Sequence, residues 1–77
     1  MNDIDYMKIA ILEAKKAYIK GEVPIGAVIV KNNKIIAKAH NLKENKNSAI
    51  YHAEIIAIKK ACAKLNNWRL NNCTMYK

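Results

Sequence analysis

His52 and Glu54 stand two positions apart with Ala53 between them, which brings a metal-binding imidazole and a proton-carrying carboxylate into one short stretch of chain. A neutral imidazole is a good zinc ligand, and a catalytic zinc that keeps one position for water lowers the pKa of that water toward about 7. A neighbouring carboxylate can take a proton from the water and pass it to a departing atom. If the pair opens a helix, unpartnered amides and the positive end of the helix dipole lie beside both side chains, favouring bound hydroxide and an ionised carboxylate. Taken alone, the same residues read first as a half-exposed histidine beside a glutamate that complements a helix start, and only their context points to chemistry.

The surrounding elements position this pair. Between Asp3 and Lys20, the apolar residues Met7, Ala10, Ile11, Ala14, Ala17 and Tyr18 recur at three and four, predicting an amphipathic helix with these on its buried face. Asp3 is the expected cap, Lys15, Lys16 and Lys20 suit the C-terminal dipole, Gly21 fits a left-handed position beyond the end, and Pro24 confirms the stop. Ile25 to Val30 and Lys34 to Ala39 read as strands, and Asn32-Asn33 between them as the central pair of a tight hairpin turn. Asn41 to Asn47 reads as a loop.

A second helix is predicted from near Tyr51 to about Leu65, capped by Ser48 or a neighbour and ended by Asn66-Asn67. Ala53, Ile56, Ala57, Lys60 and Lys64 follow one set of spacings, while Ile55, Ile58, Ala61, Cys62 and Leu65 supply its apolar face. Asn71 to Tyr76 reads as a short third strand.

Seventy-seven residues make one domain at most, and chains of this size bury only about 60–65% of the surface exposed on unfolding. Hydrophobic residues make up 52% and aromatics 6%, without Phe, so the core must be built from Ile, Ala, Val and Leu. The formal charge of +8 suits a polyanion such as RNA, and is equally what a Lys- and Asn-rich composition produces by itself. All but one of the 14 basic residues are Lys, which attract phosphate as point charges and give little bidentate recognition. No run of about 18 apolar residues is present to span a membrane. Met1-Asn2-Asp3-Ile4-Asp5 has no basic lead into an apolar segment, so the expected location is the cytoplasm. Cys62 and Cys73 do not form a C-x-x-C pair and read as reduced thiols in ordinary packing.

Four motifs in order carry a resemblance: Glu22-Val23-Pro24-Ile25-Gly26-Ala27-Val28-Ile29-Val30, Ala39-His40-Asn41, His52-Ala53-Glu54-Ile55, and Asn67-Trp68-Arg69-Leu70 followed by Cys73-Thr74-Met75-Tyr76. Together they cover nearly the whole chain and resemble the cytidine deaminase-like superfamily, most closely the bacterial tRNA adenosine deaminases. The resemblance implies an α/β fold, a cytidine deaminase-like α-β-β-α-β sandwich in the order helix, β-hairpin, helix, strand, with residues 1–77 as the N-terminal portion of one deaminase domain. It implies a hydrolase: a zinc-dependent deaminase that converts adenosine to inosine in the tRNA anticodon loop, with Zn2+ as cofactor. By the resemblance His52 is a zinc ligand, Glu54 is the acid and base, and Asn41, Ala53 and Ile25 contact the target nucleoside. The zinc-deaminase signature continues with P-C-x-x-C, whose two Cys ligands these 77 residues do not contain. The sandwich is therefore expected to be incomplete, and the intact family member to be a homodimer.

Two other readings follow from the same residues. A nucleobase or nucleoside deaminase acting on guanine or cytosine shares the motifs, and a remnant without catalysis that binds RNA or another subunit through its lysines shares the charge. Taken alone, the chain is expected to be inactive and to be marginally folded, oligomeric or aggregation-prone, with an open edge on its third strand and an uncovered apolar surface.

Overall fold

The computed structural model describes residues 2–42, 49–67 and 69–77. In chain order the elements are α1 (Asp3–Ile19), β1 (Gly26–Lys31), β2 (Lys34–His40), α2 (Ala49–Leu65) and β3 (Cys73–Tyr76). The strands form one sheet of order β2-β1-β3, antiparallel throughout, with a helix on each face.

The central strand explains the layering. Val28 and Val30 pack with Tyr6 and Ala10 of α1, whereas Ala27 and Ile29 pack with Ala57 and Ala61 of α2. Period-two alternation thus sends β1 side chains to two apolar layers, which is why its sequence is a continuous apolar run. The register slips between Ile29 and Val30, leaving Ile36 as an extra residue on β2. That bulge lets Ile35 join the α1 layer while Ile36 and Ala37 both join the α2 layer.

The hairpin follows the expectation from Asn32-Asn33: both residues hold positive φ, 52° and 61°, as a two-residue turn matched to strand twist requires. Glycine adopts this backbone more readily than asparagine, and a β-branched residue resists it. Asn33→Gly is expected to raise stability by about 0.5 kcal/mol and Asn33→Val to lower it by about 1–2 kcal/mol, read from urea unfolding midpoints.

Both helices end in the same way. Gly21 (φ 79°) follows α1, with its amide donating to Tyr18 O and that of Glu22 to Ala17 O, each at 3.0 Å. Asn66 (φ 52°) takes the glycine's place after α2, with Asn67 donating to Cys62 O at 3.1 Å. These are Schellman closures. At the start of α1 the cap is Asn2 and not Asp3. Asn2 Oδ1 accepts from the Asp5 amide at 2.9 Å and Asp5 Oδ2 accepts from the Asn2 amide at 3.1 Å, so the reciprocal pair fixes the start one residue earlier. Asp3 instead accepts at 2.6 Å from the Tyr76 hydroxyl, tying β3 to α1 and holding that phenol above its usual range.

Two predicted faces are rotated. On α1 the expected Ala10 and Ala17 are buried, but in one stripe with Tyr6 and Glu13, whereas Met7, Ile11 and Tyr18 are exposed along with Ile4, Leu12 and Ile19. On α2 the fully buried stripe is Ala53, Ala57 and Ala61, and Ile58 is exposed. Ala10 and Ala17 of α1 and Ala53, Ala57 and Ala61 of α2 are small residues at the sheet-facing positions, and they let each helix lie close to the sheet. The Ser48 cap, and most of the loop expected from Asn41 to Asn47, lie outside the described residues. β3 forms one edge of the sheet and β2 the other. Among the described residues no helix is long and apolar enough to cross a membrane.

Candidate functional site

Antiparallel pairing gathers the start of β1 and the ends of β2 and β3 at one end of the sheet, since Gly26 pairs with His40 and Val28 with Tyr76. The first half of α2 lies over that end. Ile25, Asn41, His52, Ala53 and Glu54 therefore meet in one region although nearly thirty positions separate the first from the last.

Hydrogen bonds connect most of them. The Asn41 amide donates to Ile25 O at 2.9 Å, and Asn41 Nδ2 donates to Val23 O at 3.2 Å. Asn41 is fully buried, one of two buried polar or charged side chains among the described residues. The next amide, that of Leu42, donates to His52 Nδ1 at 3.3 Å. Ala53 is fully buried against the sheet. Its neighbours are about 200° apart around the helix axis at 100° per residue, so His52 and Glu54 flank the buried seam on opposite sides. His52 faces the end of β2, while Glu54 is paired with Lys77 just past the end of β3.

The helix-start expectation for this pair needs correction. α2 begins at Ala49, so His52 is its fourth residue and Glu54 its sixth. Unpartnered amides and the dipole effect are confined to the first turn. Glu54 lies beyond it, and its charge is met by Lys77.

The described residues do not complete a metal site. A zinc site takes three or four protein donors, and no group of three His, Cys, Asp or Glu side chains among the described residues is placed to hold an ion. Cys62 lies ten residues along α2 from His52, about 15 Å at 1.5 Å per residue. Cys73 pairs with Lys31 at the opposite end of the sheet and its thiol is directed to Asn71 O at 3.6 Å. His52 Nδ1 is itself engaged by the Leu42 amide, through a bond longer than the usual range; metal binding at that nitrogen means giving up a weak bond.

Sequence reasoning passed over a second polar group here. Glu13, on the sheet-facing stripe of α1 and only 5% exposed, lies 3.2 Å from His40 Nδ1 and 2.6 Å from Lys16 Nζ. The available signal was its position: Glu13 continues the spacing of Tyr6, Ala10 and Ala17, so a helix burying those three must bury it too. Burial is the largest single influence on its carboxyl and would raise its pKa, but the hydrogen bonds from Lys16 and His40, with the nearby charge of Lys16, together outweigh it and hold it below the usual carboxylate range. A depressed carboxylate contributes stability that is complete above the unfolded value and lost as pH falls through the folded one. Acid titration of stability is thus expected to steepen below pH 4.5, and Glu13→Gln to flatten that part of the curve.

Beside Ile25 an apolar groove of about 180 Å³ runs along Met7, Ala10, Ile11 and Ala14 of α1, with Lys77 also on its lining. It shares Ile25 and Lys77 with the constellation above but opens on the α1 side of the sheet, away from His52.

Comparison with known proteins adds the following. Residues 1–77 match the family model described as the cytidine and deoxycytidylate deaminase zinc-binding region. The chain is 59% identical over 71 residues to the tRNA-specific adenosine deaminase of Bacillus subtilis, covering 92% of this chain and 44% of the relative. It is 51% identical to the Aquifex aeolicus protein of that name, covering 92% and 47%. The chain thus spans about half the length of the curated relatives it matches. Among solved structures, a guanine deaminase from Bacillus subtilis superposes with a TM-score of 0.82 at 38% identity, covering 99% of this chain and 49% of the other. A structure from a study of A-to-I editing by tRNA:A34 deaminases at the wobble position gives the same TM-score and identity, covering 95% and 53%. Both superpositions take in nearly all of this chain's helix-strand-strand-helix-strand order.

Proposed function

Since the chain belongs to the cytidine and deoxycytidylate deaminase family, matched over all of residues 1–77, we propose that it is the N-terminal portion of a single deaminase domain that converts adenosine to inosine in the anticodon loop of tRNA. What carries this reading is its 59% identity over 92% of its length to one tRNA-specific adenosine deaminase, with 51% to a second.

In the proposed domain His52 is one ligand of a zinc ion whose remaining ligands lie outside residues 1–77. Bound zinc supplies an activated water to this class of reaction. Glu54 accepts a proton from the attacking water and returns it to the amino nitrogen leaving adenine C6, so that adenosine and water become inosine and ammonia. Ile25 and the Ala53 backbone wall the base, and Asn41 exchanges its bond to Val23 O for one to the nucleoside. A loop base suits this chemistry because it leaves its stack at little cost. The charge of +8 favours such a polyanion. We place the protein in the cytoplasm with its tRNA substrate, as a homodimer.

The equal superposition on a guanine deaminase supports a second reading, a nucleobase deaminase on the same scaffold. The test is to incubate the protein as its host makes it with an anticodon stem-loop RNA carrying adenosine at the wobble position and, separately, with guanine. Inosine with equimolar ammonia from the RNA, and no ammonia from guanine, is the expected result. Xanthine and ammonia from guanine with the RNA unchanged would replace the first reading by the second.

A further inference from the structure

The polar group formed by Glu13, His40 and Lys20 joins α1 to the strand end from which Asn41 follows. Lys20 Nζ is 3.1 Å from His40 Nε2, and His40 Nδ1 is 3.2 Å from Glu13 Oε1. An ammonium has only donors, so Nε2 accepts, Nδ1 carries the proton, and His40 donates to Glu13. The ring is thereby fixed in one tautomer and one orientation. Each of the next two residues is held by a different part of the molecule: Asn41 by the carbonyls of Val23 and Ile25, and Leu42 by His52. Three consecutive residues thus link α1, the lead into β1, and α2.

Gly26 makes this possible. It pairs with His40, and a β-carbon on it would lie 2.1 Å from Ala10 O and 2.9 Å from Glu13 Cβ. α1 crosses the sheet end at a distance only glycine permits, which brings the short Glu13 side chain within reach of His40. Packing alone gives no reason for a carboxylate here, since an apolar residue would continue the buried stripe without the cost of desolvating a charge.

We infer that Glu13 and His40 are a positioning pair, which fixes the backbone at Asn41 and Leu42 so that Asn41 meets the nucleoside and His52 is held beside it. This deepens the deaminase reading and rests on it. The two residues do not touch substrate; they act through Asn41 and Leu42.

The test uses the protein as its host makes it, with His40→Ala, His40→Asn and Lys20→Ala, assayed on the anticodon stem-loop and by amide hydrogen exchange. His40→Ala is expected to raise KM about ten-fold with kcat within about two-fold, because loosening Asn41 removes binding common to ground and transition states. Exchange at the Asn41 and Leu42 amides is expected to quicken about ten-fold while Ile29 is unchanged. Asn at position 40 places an amide donor where Nδ1 stood, so His40→Asn restores KM to within about three-fold of the parent. Lys20→Ala, at an exposed position, removes the bond to Nε2 while leaving Nδ1–H on Glu13, and raises KM about two-fold; it carries the test if His40→Ala does not fold. Parental KM and exchange in the variants would overturn the inference, as would an equal loss in His40→Ala and His40→Asn with protection lost across the whole sheet. If the parent protein makes no inosine, the deaminase reading fails, and the exchange rates at Asn41 and Leu42 still decide the positioning pair.

Discussion

Glu54→Gln is expected to lower kcat for inosine formation by about 10²- to 10⁴-fold, the range contributed by a positioned acid and base. Glutamine keeps the size and hydrogen-bonding shape of the side chain but cannot take up a proton at neutral pH. In the proposed reaction Glu54 handles a proton twice, once from water and once toward the leaving amine, so no single rescue by buffer replaces it. The substitution sits on the flank of α2 that faces Lys77, away from the fully buried Ala53. Stability and metal content are therefore expected to stay within error of the parent. Single-turnover inosine formation measured beside zinc content separates the outcomes. Turnover within ten-fold of the parent would remove Glu54 from the acid and base role.

Gly26→Ala carries the largest expected effect on stability. The added methyl would lie 2.1 Å from Ala10 O and 2.5 Å from Ala14 N, both backbone atoms of α1. A side chain can turn away from such a contact, whereas a helix backbone moves only as a unit. Overpacking costs typically about 1–3 kcal/mol; two backbone contacts place this case at the upper end, about 3 kcal/mol. A displaced α1 also withdraws Glu13 from His40, so the activity of whatever remains folded is expected to fall with it. Urea unfolding should show a lower midpoint with an unchanged slope. A change below about 0.5 kcal/mol, the range of an ordinary surface substitution, would mean that α1 and β1 are not in the contact described.

Local rules accounted for much of the fold. Asn32-Asn33, Gly21 and Asn66 each stand at a positive φ, and those backbone demands are legible in residue type alone. The apolar run of β1 reads as a strand from sequence alone, and its packing on both faces explains why that run is unbroken. What local rules did not settle was which of two stripes each helix buries. On α1 the set Met7, Ile11, Tyr18 and the set Tyr6, Ala10, Ala17 both recur at three and four, so periodicity cannot choose between them. The choice depends on Gly26 and on how closely the sheet receives the helix, which is tertiary information.

The site divides in the same way. His52, Ala53 and Glu54 form a local pattern, and their types point to metal and proton chemistry without any structure. That Asn41 and Ile25 stand beside them follows from antiparallel pairing of β1 with β2 and from α2 lying over that sheet end. Glu13 escaped notice because a glutamate on a lysine-rich helix reads as a solvated charge until the buried face is known. His40 was visible only as the neighbour of Asn41. Its pairing with Glu13 spans 27 positions, which no local spacing rule reaches.

The proposed function depends most on His52 as a zinc ligand with its partners outside residues 1–77. The most direct measurement is the zinc content of the protein purified as its host makes it, compared with its His52→Ala variant. The expected result is stoichiometric zinc in the parent and loss of most of it in the variant, because removing one ligand from a set of three opens the site. A parent free of zinc, or a variant that holds zinc as the parent does, would contradict it.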